Sequence, residues 1–237
     1  MTNQEFSDSF DTILNSHFSG APAMQGDIAL DEYEKSVFLT KAQDELVIGL
    51  YSGRNDTGAS FEETEELRRY LANLVKEDTL SPIENTAGSP LGMEGSNHQF
   101  FTLPSDLWFI TYESVNTSGE KACDNKTGME VIPVTQDEYH TIKKNPFRGA
   151  NNRRALRMDL GDGVIEIICK FSISSYYLRY LKEPRPIILV DALPDGMQIK
   201  NKSEYSECEL HEALHQRILD RAVMLALQSR SIGRKAD

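Results

Sequence analysis

The sequence is short of cysteine, of basic charge and of long apolar runs, and each shortage removes a class of protein. Its three cysteines, Cys123, Cys169 and Cys208, are odd in number and widely separated. They build neither a disulfide framework nor a CxxC zinc pair, so a reducing compartment is expected. No stretch reaches the eighteen or so consecutive apolar residues of a membrane-spanning helix. Residues 1–20 are polar and acidic, without the basic start and apolar centre of a secretory signal, so the protein is expected to be neither secreted nor membrane-inserted. Lysine and arginine number 25 against 37 aspartates and glutamates, a formal net charge of -12. General attraction to DNA or to a membrane surface is thereby excluded. Absent too are G-x-S-x-G, the Walker loop, GxGxxG and any paired-carboxylate spacing that stands out in so acidic a chain. What remains is 39% apolar and 26% charged over 237 residues, enough to bury a core as one domain or two small ones.

Helical periodicity dominates the first third. Phe6, Phe10, Ile13, Leu14 and Phe18 lie three and four residues apart and predict an amphipathic helix over 4–17. After Gly20, Pro22 and Gly26, the residues Leu30, Tyr33, Val37, Phe38, Ala42, Leu46, Val47 and Leu50 predict a second helix, with acidic residues in its first turn and Gly53 just past its end. Ser60 with Glu63 reads as a capping box for a third, running to about Val75 with Phe61, Leu67, Leu71, Leu74 and Val75 inward. The glutamates between Glu62 and Glu66 form its solvated face, and residues 77–97, rich in glycine and proline, form a loop. From His98 the pattern becomes that of strands: 100–112, interrupted by Pro104-Ser105-Asp106, then 129–134, 154–160, 164–173 and 187–190. Gly161-Asp162-Gly163 is a hairpin signal. Thr135 with Glu138 caps a short helix that must stop before Pro146. Ser206 with Glu209 caps a last helix carrying Leu210, Leu214, Ile218, Ala222 and Leu225. The expectation is an α+β fold in one domain over 1–237: a helical body from 1–76 and 206–230, enclosing an inserted antiparallel β region with an extended loop at about 98–190.

Two features bear on chemistry. His211-Glu212-Ala213-Leu214-His215 fits H-E-x-x-H, in which two imidazoles one helical turn apart hold zinc and the glutamate polarises its water. A catalytic zinc needs a third protein ligand. The positions three and six residues beyond His215 are Ile218 and Arg221, and no glutamate follows Glu212. The segment therefore reads as the polar flank of a core helix, with no catalytic residue, no metal and no cofactor assigned; a zinc hydrolase stands as the rival. Trp108 and its neighbouring aromatics could stack bases, but a buried sheet accounts for them. The second feature is a basic island. No acidic residue lies between Glu138 and Asp159, yet Lys143, Lys144, Arg148, Arg153, Arg154 and Arg157 all fall there, six of the 25 cations of an acidic chain. Asn145, Pro146, Gly149, Asn151 and Asn152 make its centre a loop. A local basic patch steers association even against an opposite net charge, so these six residues are the candidate partner-binding set, a docking arm for an acidic protein surface.

Some segments are distinctive as words. Residues 30–43 read Leu30-Asp31-Glu32-Tyr33-Glu34-Lys35-Ser36-Val37-Phe38-Leu39-Thr40-Lys41-Ala42-Gln43. Leu103-Pro104-Ser105-Asp106 follows, then Asp137-Glu138-Tyr139 leading to Asn145-Pro146-Phe147-Arg148. Pro184-Arg185-Pro186-Ile187-Ile188-Leu189 precedes a helix of pattern Leu-x3-Leu-His-x2-Ile-Leu-x2-Ala-Val-x2-Ala over 210–226. In this order they resemble the head-to-tail connector (adaptor or neck ring) proteins of tailed bacteriophages, most closely the structural proteins of crAss-like phages. That resemblance implies a non-enzymatic virion component, made in the bacterial host cytoplasm and built into the head–tail neck. It implies a homo-oligomeric, dodecameric ring, with the portal protein and neighbouring neck or tail rings as partners. It further implies a channel through which DNA passes without specific binding, no membrane contact and no cofactor. The remaining rival is a monomeric protein-binding module.

Overall fold

The computed structural model describes residues 1–18, 30–55, 58–84, 97–119, 121, 124–143, 145–194 and 196–233. They form an α+β protein whose chain divides into two compact units, one made of Met1–Leu74 with Pro184–Asp237 and the other of Val75–Glu183.

The first unit is helical. Its first helix, α1 (Asn3–Phe18), buries Phe6, Phe10 and Leu14 completely, as their four-residue spacing predicts. The Phe18 side chain, and the Gly20 to Gly26 break, fall outside the described residues. Helix α2 (Glu32–Ser52) opens on a capping box between Asp31 and Glu34 and closes on Gly53 at φ 74, a left-handed turn that a side chain would resist. Its inward face differs from the predicted one. Val37, Phe38 and Leu46 are only half-buried, while Ser36, Thr40 and Gln43 are buried with Leu39, Ala42, Val47 and Leu50.

Those three polar residues have a common task. Ser36 Oγ accepts from the Leu189 amide at 3.1 Å, Thr40 Oγ1 accepts from the Ile187 amide at 3.1 Å, and Gln43 Nε2 donates to the Arg185 carbonyl at 2.7 Å. Four helical residues rise about 6 Å and two extended residues about 6.6 Å, so a helix face runs nearly in step with alternate residues of an extended segment. On the segment's other side Asn3 Nδ2 donates to the Ile188 carbonyl at 2.8 Å, and strand β8 (Ile188–Ala192) pairs antiparallel with β9 (Glu204–Ser206).

The predicted third helix is shorter and starts later. Thr64 caps α3 (Glu65–Tyr70), one 3-10 turn follows at Ala72–Leu74, and the chain passes into strand β1 (Val75–Leu80), where a loop was expected from residue 77. Phe61, Leu67, Leu71 and Leu74 are buried as predicted, Val75 is only half-buried and opens β1 instead, and the glutamates at 62, 63, 65 and 66 are exposed. The Ser206–Glu209 capping box does not form. Ser206 ends β9, and Glu209 instead pairs with Arg185 at 3.1 Å. The last helix, α5 (His215–Gly233), therefore begins later and packs on α1 and α2, with Ile218, Leu219, Ala222 and Val223 fully or almost fully buried.

The second unit is a seven-stranded sheet in the order β1-β7-β3-β4-β5-β6-β2. Its other strands are β2 (Asn97–Thr102), β3 (Leu107–Ser118), β4 (Lys126–Pro133), β5 (Arg154–Gly161), β6 (Val164–Cys169) and β7 (Ser172–Lys182). A single bridge between Ile83 and Phe100 links the chain beyond β1 to β2, so the sheet curls until its two ends meet. Phe101, Val115, Ile167, Tyr176 and Leu178 fill one face. Gly161, Asp162 and Gly163, all at positive φ, make the predicted β5–β6 hairpin. The expected strand over 164–173 breaks after Cys169, and the unforeseen β7 follows, pairing with both β1 and β3. One pairing departs from the antiparallel expectation: β4 and β5 run parallel. Parallel neighbours need a crossover, and helix α4 (Gln136–Ile142), capped by Thr135 and Glu138 as predicted, supplies it. Tyr139 and Ile142 of that helix pack with Leu156, Met158 and Ile168 on the sheet's other face.

Candidate functional site: a basic docking loop

The H-E-x-x-H segment does not lie on one helix. His211 caps a 3-10 turn, its Nδ1 accepting from the Ala213 amide at 3.2 Å, and α5 begins only at His215. Both ring nitrogens of His215 are engaged, Nδ1 by the Met1 ammonium at 2.8 Å and Nε2 by the Leu210 carbonyl at 3.1 Å. Burial, reinforced by the Met1 ammonium, holds this imidazole below its ordinary range and so neutral. Cys208 is also desolvated and its thiol is pushed up to about 11. Among the described residues no group of three or more His, Cys, Asp or Glu has metal-holding geometry.

The basic island lies in the β4–α4–β5 crossover, and the structure divides its six cations. Arg157 is buried in β5, where Nη1 donates to Glu113 Oε1 at 2.8 Å and Nε lies 3.2 Å from Asp159 Oδ1. Tyr176 donates its hydroxyl to Glu113 Oε2 at 2.7 Å. Burial pushes the Glu113 carboxyl up, against the opposing pull of the arginine and the tyrosine. Arg157 thus neutralises the sheet's own interior and is withdrawn from any partner. Arg154 is half-buried in the same strand, with Nη1 donating to the Phe147 carbonyl at 3.1 Å and Nε 3.9 Å from Glu130. Lys143 caps the end of α4 with its ammonium 5.9 Å from the Tyr139 ring centroid. Arg148 and Arg153 are exposed. Lys144 lies outside the described residues.

Between these cations stands a residue to which sequence reasoning gave no role. Phe147 is 85% exposed, the most exposed large apolar side chain among those described. Burying a phenylalanine contributes about 1.5–3 kcal/mol, and here that gain is left unclaimed. The backbone beneath it is fixed. Asn145 Oδ1 accepts from the Phe147 amide at 2.9 Å, the Asn145 carbonyl accepts from Gly149 at 2.8 Å and Arg148 at 3.2 Å, and Arg154 holds the Phe147 carbonyl. A Cβ at Gly149 would stand 3.0 Å from the Asn145 carbonyl oxygen, so the turn closes this tightly only on glycine. The sequence signal was an isolated large aromatic, without periodic apolar neighbours, in a polar loop.

In the helical unit a recess of about 540 Å³ is lined by Glu5, Glu207, Glu209, Leu210 and Glu212, with the Met1 ammonium and His215 also at its wall. No lysine or arginine side chain lines it. Among the described residues, the surface thus carries a cationic loop with an aromatic tip and an acidic hollow. The chain belongs to the family described as phage tail ring protein 3/4, which matches residues 1–237. It is 47% identical over 233 residues to Ring protein 3 of Bacteroides phage crAss001, covering 98% of this chain and 97% of that one. It is 29% identical over 234 residues to Ring protein 4/5 of the same phage, covering 95% and 92%. The resemblance to structural proteins of crAss-like phages is thereby borne out, and the protein is a structural phage ring protein.

Proposed function

We propose that this chain, over residues 1–237, is one connector-like subunit of a closed dodecameric ring in the head–tail neck of the virion. The ring adjoins the portal and further neck or tail rings, and DNA passes through its channel without specific binding. The subunit acts by assembly and not by catalysis. The observation that carries this reading is the end-to-end match to Ring protein 3 at 47% identity. The charge supports it, since a ring of copies each at -12 repels a passing polyanion. Lys143, Arg148 and Arg153, the outward part of the basic island, then serve as a protein-docking surface for an acidic face of an adjoining subunit, whether in the same ring, the next ring or the portal. Electron microscopy of virions carrying a small tag on this chain tests the placement. Tag density in a ring between portal and tail is the expected result; density elsewhere, or an isologous dimer in the particle, overturns it.

A further inference from the structure

We infer that the loop around Phe147 docks into the acidic recess at Glu207–Glu212 of a second copy of this chain, forming the contact that repeats around the ring. The inference rests on the ring reading above and names the interface that reading requires. A cyclic ring is built from heterologous contacts, in which two different and complementary patches of one chain meet on neighbouring copies.

The described surface holds such a pair. The loop presents an apolar tip, Phe147, among Lys143, Arg148 and Arg153. The recess presents Glu5, Glu207 and Glu212, all exposed, with Met1, Cys208 and the buried Leu210 also in its lining. Other recesses fit less well. In the one at Glu45 the carboxylate is already paired with Arg221 at 2.7 Å, and in the one at Glu65 with Arg69 at 2.8 Å. Each of those sets an arginine against the loop's own cations, whereas the Glu207–Glu212 recess sets against them only the Met1 ammonium, which is already bonded to His215 Nδ1 at 2.8 Å.

The loop also has the character of an interface anchor. Aromatic side chains at the centre of a contact, shielded by a polar rim, carry most of the affinity of protein interfaces. A loop whose backbone is already fixed loses little further backbone freedom on binding. The hydrogen bonds from Asn145 and Arg154 supply that preorganisation before any partner arrives.

A charge exchange tests the proposal on the full chain. Three variants are compared with wild type for rings seen by electron microscopy in particles or in co-expressed neck assemblies: R148E with R153E, E207K with E212K, and all four together. The expected result is a loss of rings of about tenfold or more in each double variant and recovery in the quadruple one, with thermal midpoints unchanged throughout. F147A is expected to lose rings as the charge variants do. Normal rings in the double variants overturn the inference while leaving the ring reading standing. Loss without recovery in the quadruple variant also overturns it, and assigns the loop to a different protein. Absence of rings from wild type itself removes the ring reading and this inference with it.

Discussion

At the scale of single residues, the cations of the basic island divide by depth, and their substitutions should divide with them. Arg157→Ala strands the buried Glu113 carboxylate and is expected to destabilise the fold by about 3 kcal/mol. Arg148→Ala and Arg153→Ala, both in the exposed loop, are expected to change stability by about half a kcal/mol or less. Urea denaturation of the three variants checks this, and equal losses would refute the division. His215 carries a pH signature. Its folded value lies below the ordinary 6.5 because it is buried, so the unfolded chain takes up the proton more readily. Its contribution to stability is present above about pH 6.5 and is lost as pH falls through the lower folded value. His215→Gln is expected to flatten the fall in urea midpoint between about pH 7.5 and 5.5. An identical slope in wild type and variant would show that other groups govern it.

Elements are where sequence reading succeeded and failed for identifiable reasons. The Phe6, Phe10 and Leu14 stripe of α1 was legible, though the buried Asn3 and Ser7 beside it were not and Ile13 is only half-buried; the Thr135–Glu138 box and the glycine hairpin were legible too, because each signal is local. Strand β1 was not: Val75-Lys76-Glu77-Asp78-Thr79-Leu80 has no apolar alternation and four charged or polar residues in its middle, and only pairing with β7 makes it a strand. The polar face of α2 was hidden because hydrophobic periodicity gives no weight to Ser36, Thr40 and Gln43, whose burial is explained only by a segment about 150 residues later. Of the candidate site, the basic loop was visible as a charge run, while Phe147 was not, since its meaning lies in its exposure. Thr40→Val tests the α2 face. It keeps the volume but leaves the buried Ile187 amide without its acceptor, and an expected loss of about 2 kcal/mol would be read from thermal unfolding. A neutral outcome would mean that water replaces the hydroxyl.

For the whole molecule, the charge balance yields a direct expectation about DNA. At -12, the free protein should show no measurable binding to duplex DNA at about 0.15 M salt by fluorescence anisotropy. Tight binding that falls steeply with salt would reassign the basic loop to phosphate contact. The connectivity of the two units carries a further consequence, for the order of events during synthesis. The sheet unit is continuous in sequence, whereas the helical unit is assembled from both ends of the chain. A ribosome therefore releases every strand of the sheet before helix α5, which packs on α1 and α2, has emerged. Until then α1 and α2 expose the surfaces of Phe10, Leu39 and Val47. Nascent chains halted near residue 215 are expected to show a protease-resistant β fragment and a digestible amino-terminal third. Under the contact inferred above, ring building would be withheld from every unfinished copy, because the Glu207–Glu212 side of the acidic recess is among the last surfaces to be translated.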